Sequence, residues 1–289
     1  MATGIRTIPT LVRDSRQGRT SRDLRAVRVV WMRELIRFAH DRMRIVTSLT
    51  QPVLYLLVLG TGLASLTGGA TGGSGSLRTF MFPGVLALSV LFTAMFSAAS
   101  IVWDREFGFM REMLVAPVSR SAIVLGKCLG GATTATLQGV ILIALAGAAG
   151  VPYSPALIAE LVGLLLLLAF AMTAFGVLVA ARIRNLQSFM GVTQLFLMPM
   201  FFLSGALYPL SGLPAWLELL TRVNPLSYAV DPLRRAVFAH VDASALTQRF
   251  GGGVTWFGWT VPAGLEVILV LAIAVAMLAG AMLQFRRTD

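Results

Sequence analysis

Leu161-Val162-Gly163-Leu164-Leu165-Leu166-Leu167-Leu168-Ala169-Phe170-Ala171-Met172-Thr173-Ala174-Phe175-Gly176-Val177-Leu178-Val179-Ala180 is a run of twenty residues without a charge. An α-helix rises about 1.5 Å per residue, so the run crosses the roughly 30 Å hydrocarbon core of a bilayer. Its apolarity is continuous rather than one-faced, the pattern of a helix surrounded by lipid or by other helices. The span reads approximately as Leu157 to Ala181. Five further stretches have the same character: Ile45 to Leu66, Phe80 to Trp103, Ser121 to Gly147, Phe189 to Tyr208 and Val261 to Phe285. The expectation is an all-α integral membrane protein of six spans.

Composition agrees. The 289 residues are 56% hydrophobic and 13% charged, with a mean hydropathy of +0.79, whereas soluble domains carry about a quarter charged residues. The net charge of +11 is not that of a nucleic-acid binder, because its Lys and Arg lie between apolar runs rather than on one face. Read as topology, it places 19 of the 24 basic residues on the side of the N-terminus and five on the other. By the positive-inside rule both termini are then cytoplasmic, in a plasma (inner) membrane. The Arg-rich first forty residues, without an apolar core before Ile45, argue against a cleavable signal peptide. Cys128 has no second cysteine to pair with and reads as a small apolar packing residue.

Between the spans the sequence predicts four further features. Residues 1–21 are polar and aperiodic, as in a disordered cytoplasmic tail. From 22 to 40, Leu24, Val27, Trp31, Leu35 and Phe38 share one helical face with arginines largely opposite, an amphipathic helix lying on the membrane surface. Thr67 to Ser76 is a Gly/Ser-rich loop. The connection before the last span holds two apolar segments, Leu213 to Val223 and Leu226 to Phe238, split by Asn224-Pro225 and each too short to cross. They read as re-entrant helices on the outer side, with Trp256, Phe257 and Trp259 marking the outer interface.

No energy source is visible. None of the 13 acidic residues falls in the middle of a predicted span, and His40 and His240 lie outside span centres, so no ion relay is evident. Glu160 and Glu266 read as interfacial residues near span ends. A phosphate-cradling loop needs Gly-x-x-x-x-Gly-Lys-Ser/Thr, and the nearest string, Ser121 to Cys128, has Ser and Cys at the wrong places. Catalytic and metal-ligand constellations are also missing from the sequence. The chain is expected to bind no cofactor and to borrow its driving force.

Asp104-Arg105-Glu106-Phe107-Gly108-Phe109-Met110-Arg111-Glu112-Met113-Leu114-Val115-Ala116-Pro117-Val118-Ser119-Arg120 follows the second span. Drawn as a helix over 104–117, it sets Trp103, Phe107, Met110 and Leu114 on one face and Asp104, Arg105, Arg111 and Glu112 on the other. Pro117 ends it and Ser119 caps the next helix. A solvated interfacial helix would show the same pattern. This run resembles the signature of ABC-2 type permeases, the group that includes daunorubicin-resistance-type exporters. Leu213-Pro214-Ala215-Trp216-Leu217, Asn224-Pro225-Leu226-Ser227-Tyr228 and Asp231-Pro232-Leu233-Arg234 are similar to the external segment of that family.

The resemblance implies a permease subunit over 41–289, paired with a second permease as homodimer or heterodimer and with a separate nucleotide-binding subunit that carries ATP and Mg. Asp104, Arg105, Glu106, Gly108, Arg111, Glu112, Pro117 and Arg120 would then couple to that ATPase, the charged face bearing on it and the apolar face on the permease body. Asn224, Pro225, Tyr228, Asp231 and Arg234 would form an external gate. Gly126-x-x-x-Gly130 offers a close-approach surface, assigned to the seam between permeases. Phe92, Phe96, Phe196 and Phe201 are candidates for an apolar path, with packing or lipid contact as the alternative. A drug, polyketide or lipid conjugate suits the absence of intramembrane charge. A secondary transporter and a membrane assembly factor are the competing readings.

Overall fold

A computed structural model describes residues 15–59, 62, 77–108, 118–210, 212–241, 253–256 and 258–287, and these are mostly helical. Helix α1 (Ser15–His40) begins well before Arg22, so residues 15–21 are helical rather than part of a structureless tail; residues 1–14 lie outside the described residues. Val27, Trp31, Leu35 and Phe38 of the expected face are partly buried, but Leu24 is 69% exposed and the most buried positions are their neighbours Val30 and Glu34. That face lies on α5 (Arg120–Ile143). A Cβ on Gly126 would stand 2.8 Å from Val30 Cβ, and one on Gly130 2.7 Å from Glu34 Cβ. The Gly126-x-x-x-Gly130 stripe therefore seats α1 rather than a second permease. Small residues four apart specify a close approach but not which helix makes it.

Helix α2 (Arg42–Leu54) contains Pro52 and loosens into a π-helical turn, Tyr55–Leu59. Proline lacks the N–H that would continue the ladder, and the wider turn absorbs the break. The far end of the first expected span and the Thr67–Ser76 loop lie outside the described residues.

Helices α3 (Leu77–Ser97) and α4 (Ala99–Glu106) form one continuous apolar stretch, Leu77–Glu106. The expected separate helix from Asp104 is thus corrected: 104–106 complete α4, and Gly108 ends it at φ +83°, a conformation glycine adopts without penalty. Residues 109–117, with Arg111, Glu112 and Pro117, lie outside the described residues. Ser119 does cap α5, accepting a hydrogen bond from the Ala122 amide at 3.2 Å.

Helix α6 (Pro155–Ala180) starts with proline at its first turn, after a turn closed by Gly150. Then follow α7 (Leu186–Phe202), α8 (Ala215–Val223), α9 (Ser227–Ala239) and α10 (Ala263–Arg287). The Asn224-Pro225 break falls where expected. A two-residue hairpin, β1 (Thr255–Trp256) with β2 (Trp259–Thr260), is the one departure from all-α structure among the described residues. Phe257 lies outside them.

Among the described residues three stretches are long and apolar enough to cross a membrane: Leu77–Glu106, Pro155–Ala180 and Ala263–Phe285. The helices over Ile45–Val58 and Leu186–Phe202 are apolar but shorter. Helix α5 has the length, but Lys127, three threonines and Gln138 lower its apolarity. It packs between α1 on one side and α3 and α6 on the other, with Gly131 against Ser97 and Thr173. Gly176 of α6 lets Ala98 come as close as 2.9 Å to where a Cβ would stand. Between apolar helices in lipid this close fit, not the hydrophobic effect, holds the bundle. Leu86, Leu91, Met95 and Leu165 fill its centre, and Cys128 packs with Val102, Val177 and Phe189 as a buried apolar residue.

Candidate functional site

The α1 end of the bundle holds a cluster of buried charges. Glu34 of α1, Asp104 of α4 and Lys127 of α5 are almost wholly enclosed, Asp104 at 4% and Lys127 at 3% exposure. The Lys127 ammonium donates to Glu34 Oε1 at 2.7 Å, to Asp104 Oδ2 at 2.7 Å and to Ser100 Oγ at 2.9 Å. Those bonds use all three of its protons. Arg33, partly exposed, closes the set by donating to Asp104 Oδ2 at 2.7 Å. Two cations thus meet two carboxylates, which removes the cost of an uncompensated buried charge. Trp31 Nε1 reinforces the seat of α1 on α5 by donating to Thr133 Oγ1 at 3.1 Å, and the Ser119 amide donates to Asp23 Oδ1 at 2.9 Å.

The next two residues bind the opposite side. Arg105 Nη1 donates to the carbonyls of Ala180, Ala181 and Ile183 at 3.2, 3.3 and 2.9 Å, a cation on the otherwise unsatisfied C-terminus of α6. Glu106 Oε2 accepts from the Leu186 amide at 2.9 Å, beside Asn185, whose side chain caps Ser188 at 2.7 Å. Carboxylates at a helix N-terminus satisfy free amides and oppose the dipole. Arg120 donates to the Phe285 carbonyl near the end of α10 at 3.1 Å. Four sequence-predicted coupling residues, Asp104, Arg105, Glu106 and Arg120, therefore join α1, α4, α5, α6, α7 and α10 at one end. Gly108 terminates α4 in open space.

This inverts the expected faces. Trp103 and Phe107 are 40% and 59% exposed, their rings 4.9 Å apart, while Asp104 points inward. Helical periodicity says which residues share a face, not which face is buried. The choice was made by Lys127 and Glu34, far from Asp104 in sequence. Neither residue was singled out from sequence, although a lysine inside an otherwise apolar helix was the available signal.

Beside the cluster opens a cavity of about 550 Å3 lined by Glu34, Arg37, Thr47, Ser48, Gln51 and the rings of Phe92, Phe96 and Trp103. Phe196 lines a different cavity, and Phe201 is buried in the core. The four candidate path residues do not share one wall.

At the far end the candidate gate residues do come together. Asn224 Nδ2 donates to the Met200 carbonyl at 2.7 Å while its Oδ1 accepts from the Leu226 amide at 3.0 Å, so Pro225 sits in a break bridged to α7. Tyr228 hydroxyl donates to the Arg222 carbonyl at 2.6 Å and accepts from Trp256 Nε1 at 2.9 Å. Asp231 accepts from Arg235 at 2.6 Å and, more weakly, from the Val254 amide at 3.4 Å. Arg234 donates to the Gly205 carbonyl and lies 4.3 Å above the Phe80 ring. Glu266 was expected at an interface; it is fully buried, 3.8 Å from Arg235. Burial there follows from α9 packing across the first turn of α10.

Among known proteins, residues 25–238 match the family described as ABC-2 type transporter. The putative transport permease ycf38 of Cyanophora paradoxa is 26% identical over 71% of this chain and 72% of its own. Nodulation protein J of Rhizobium leguminosarum bv. trifolii is 29% identical over 73% of this chain and 80% of its own. The probable multidrug ABC transporter permease YbhR of Escherichia coli is 29% identical over 53% of this chain and 42% of its own. With the match covering most of the chain and a helical bundle that includes membrane-spanning stretches, this protein belongs to the ABC-2 type transporter family.

Proposed function

We propose that this membrane permease subunit moves a hydrophobic or amphipathic substrate, a drug, polyketide or lipid conjugate, outward across the plasma membrane, driven by ATP and Mg bound on a partner ATPase. The observation that carries the reading is the knot at the α1 end. Lys127, Asp104, Glu34 and Arg105 make α1, α4, α5 and the α6–α7 turn one mechanical unit, so a push on the α4 end is delivered to several helices together. In this reading the chain has six spans with both termini cytoplasmic, and two permeases work with two ATPases. The exposed pair Trp103 and Phe107, rather than the Asp104 face, is then the surface that meets the ATPase. The cavity lined by Phe92, Phe96, Ser48 and Gln51 suits an amphipathic molecule entering from the inner leaflet, having aromatic walls, uncharged polar groups and the charged Glu34 and Arg37 together.

The test is reconstitution in proteoliposomes with a P-loop ATPase encoded beside it. Expected are ATP-dependent export and substrate-stimulated hydrolysis, with two permeases and two ATPases by native mass. Ion-gradient-driven flux from the purified chain alone would favour the secondary-transporter reading instead. A reporter fused after Asp289 and active only in the periplasm is expected to stay silent.

A further inference from the structure

A second cavity, of about 470 Å3, lies where α6, α7 and α10 meet beneath the Asn224-Pro225 break. Its walls are apolar side chains, among them Phe175, Phe196, Leu203, Val223, Ile273 and Met277. Among the described residues Asn224 is the one polar side chain in the lining, and both ends of its amide are already engaged, by the Met200 carbonyl and the Leu226 amide. No described side chain in that lining is left to recognise a polar ligand, which favours hydrocarbon as the occupant. Leu195 and Val223 at its lip are exposed, and so are Leu271 and Val275 on the opposite face of α10. Helices α6 and α10 are candidate membrane spans, and the medium against such a face is lipid tail. A space of this size, within the roughly 300–1,000 Å3 of small-ligand sites, forfeits the contacts of its whole lining if left empty.

From this we infer that the cavity binds one acyl chain of a bilayer phospholipid, held as a resident part of the bundle. Its wall includes Val223, Asn224 and Pro225, so the chain props the α8–α9 break against α7 and α10. The site is separate from the cavity beside Lys127. It rests on the permease reading only for the leaflet that supplies the lipid.

The experiment uses the full chain in nanodiscs containing a phosphatidylcholine with a photoreactive diazirine midway along one acyl chain, followed by peptide mapping. Label is expected to concentrate on residues 195–203 and 273–277. Ile273→Trp, which fills the cavity from α10, is expected to lower that label about tenfold, whereas Leu271→Trp on the opposite, outward face of α10 leaves it unchanged. Should Ile273→Trp fail to fold, Val223→Trp at the exposed lip is the second variant, with about a threefold loss expected. Label spread evenly over every exposed apolar face, or insensitive to both cavity variants, overturns the proposal. So does a disulfide between Val223→Cys of one copy and Leu195→Cys of another in an unlabelled cavity, which would make a second copy the occupant. The measurement uses neither nucleotide nor transport, so its failure leaves the permease reading standing and failure of that reading leaves it standing.

Discussion

The two ends of the bundle bury charge in different ways. At the α1 end, Lys127 has a partner for every proton and two cations face two carboxylates. At the far end, Arg234 Nε and Nη1 have no hydrogen-bond partner among the described residues, and Glu266 lies fully buried against Asp231, carboxyl to carboxyl. A saturated network loses bonds in any rearrangement, whereas an under-satisfied one can gain them from water or from a shifted neighbour. In the proposed reading the difference fits a rigid α1 end, where the ATPase pushes, and a far end with freedom to move, where the gate opens.

The largest effect tests the rigid end. Lys127→Met leaves Glu34 and Asp104 buried against each other with only Arg33 to balance them. Removing one partner of a buried ionic set costs about 3–5 kcal/mol. Thermal unfolding in detergent is expected to drop sharply, and adding Glu34→Gln and Asp104→Asn is expected to restore much of the loss. A single variant as stable as the parent would break the contrast between the two ends.

Next in size is a steric test of the same joint. Gly130→Leu drives a side chain into Glu34, and overpacking of this kind costs about 1–3 kcal/mol. Because α1 must lift from α5, the melting temperature in detergent is expected to fall, though by less than for Lys127→Met. An unchanged melting temperature would mean that the stripe does not seat α1.

Arg105→Gln sharpens the comparison further. Three carbonyls at the end of α6 lose their cation, a change of about 1–2 kcal/mol for hydrogen bonds to a charged group at a partly exposed site. ATP hydrolysis is expected to continue while export falls, since α4 no longer carries the α6–α7 turn with it. Glu106→Lys should act through the same turn, by uncapping Leu186. Export at the parental rate in both variants would detach the knot from coupling.

Much of the fold was legible because apolar length is written locally. Pro155 to Ala180, the Asn224-Pro225 break and the Ser119 cap each depend on neighbouring residues alone. The site was legible in its members but not in its orientation. Asp104, Arg105 and Glu106 were identified, yet their inward placement depends on Lys127 and Glu34, which reach Asp104 only after α1 has folded onto α5. Glu266 was misplaced for the same reason: its distance from the span end is local, whereas its burial under α9 is tertiary. Phe92 and Phe196 shared a residue type and a helical face pattern, and only the packing of α2 and α10 separated them into two cavities.

The smallest effect is expected at the far end, where Glu266→Gln keeps the shape of the side chain and replaces its carboxyl by an amide. Glu266 is fully buried, its ion pair with Arg235 is long at 3.8 Å, and Asp231 already holds that guanidinium at 2.6 Å. Buried against Asp231, the Glu266 carboxyl can hold that contact only by sharing a proton with it, and the N–H of an amide of the same size can donate in its place. The substitution is therefore expected to change stability by less than about 1 kcal/mol, in either direction, and to leave Arg235 on Asp231 and on the Val261 carbonyl. What it changes is the hydrogen bond by which α10 follows Asp231 when α9 moves. Export rate should then respond where melting temperature does not. A loss of stability as large as that of Lys127→Met would show that Glu266 is held as tightly as the charges at the α1 end, and the division of labour between the two ends would fail.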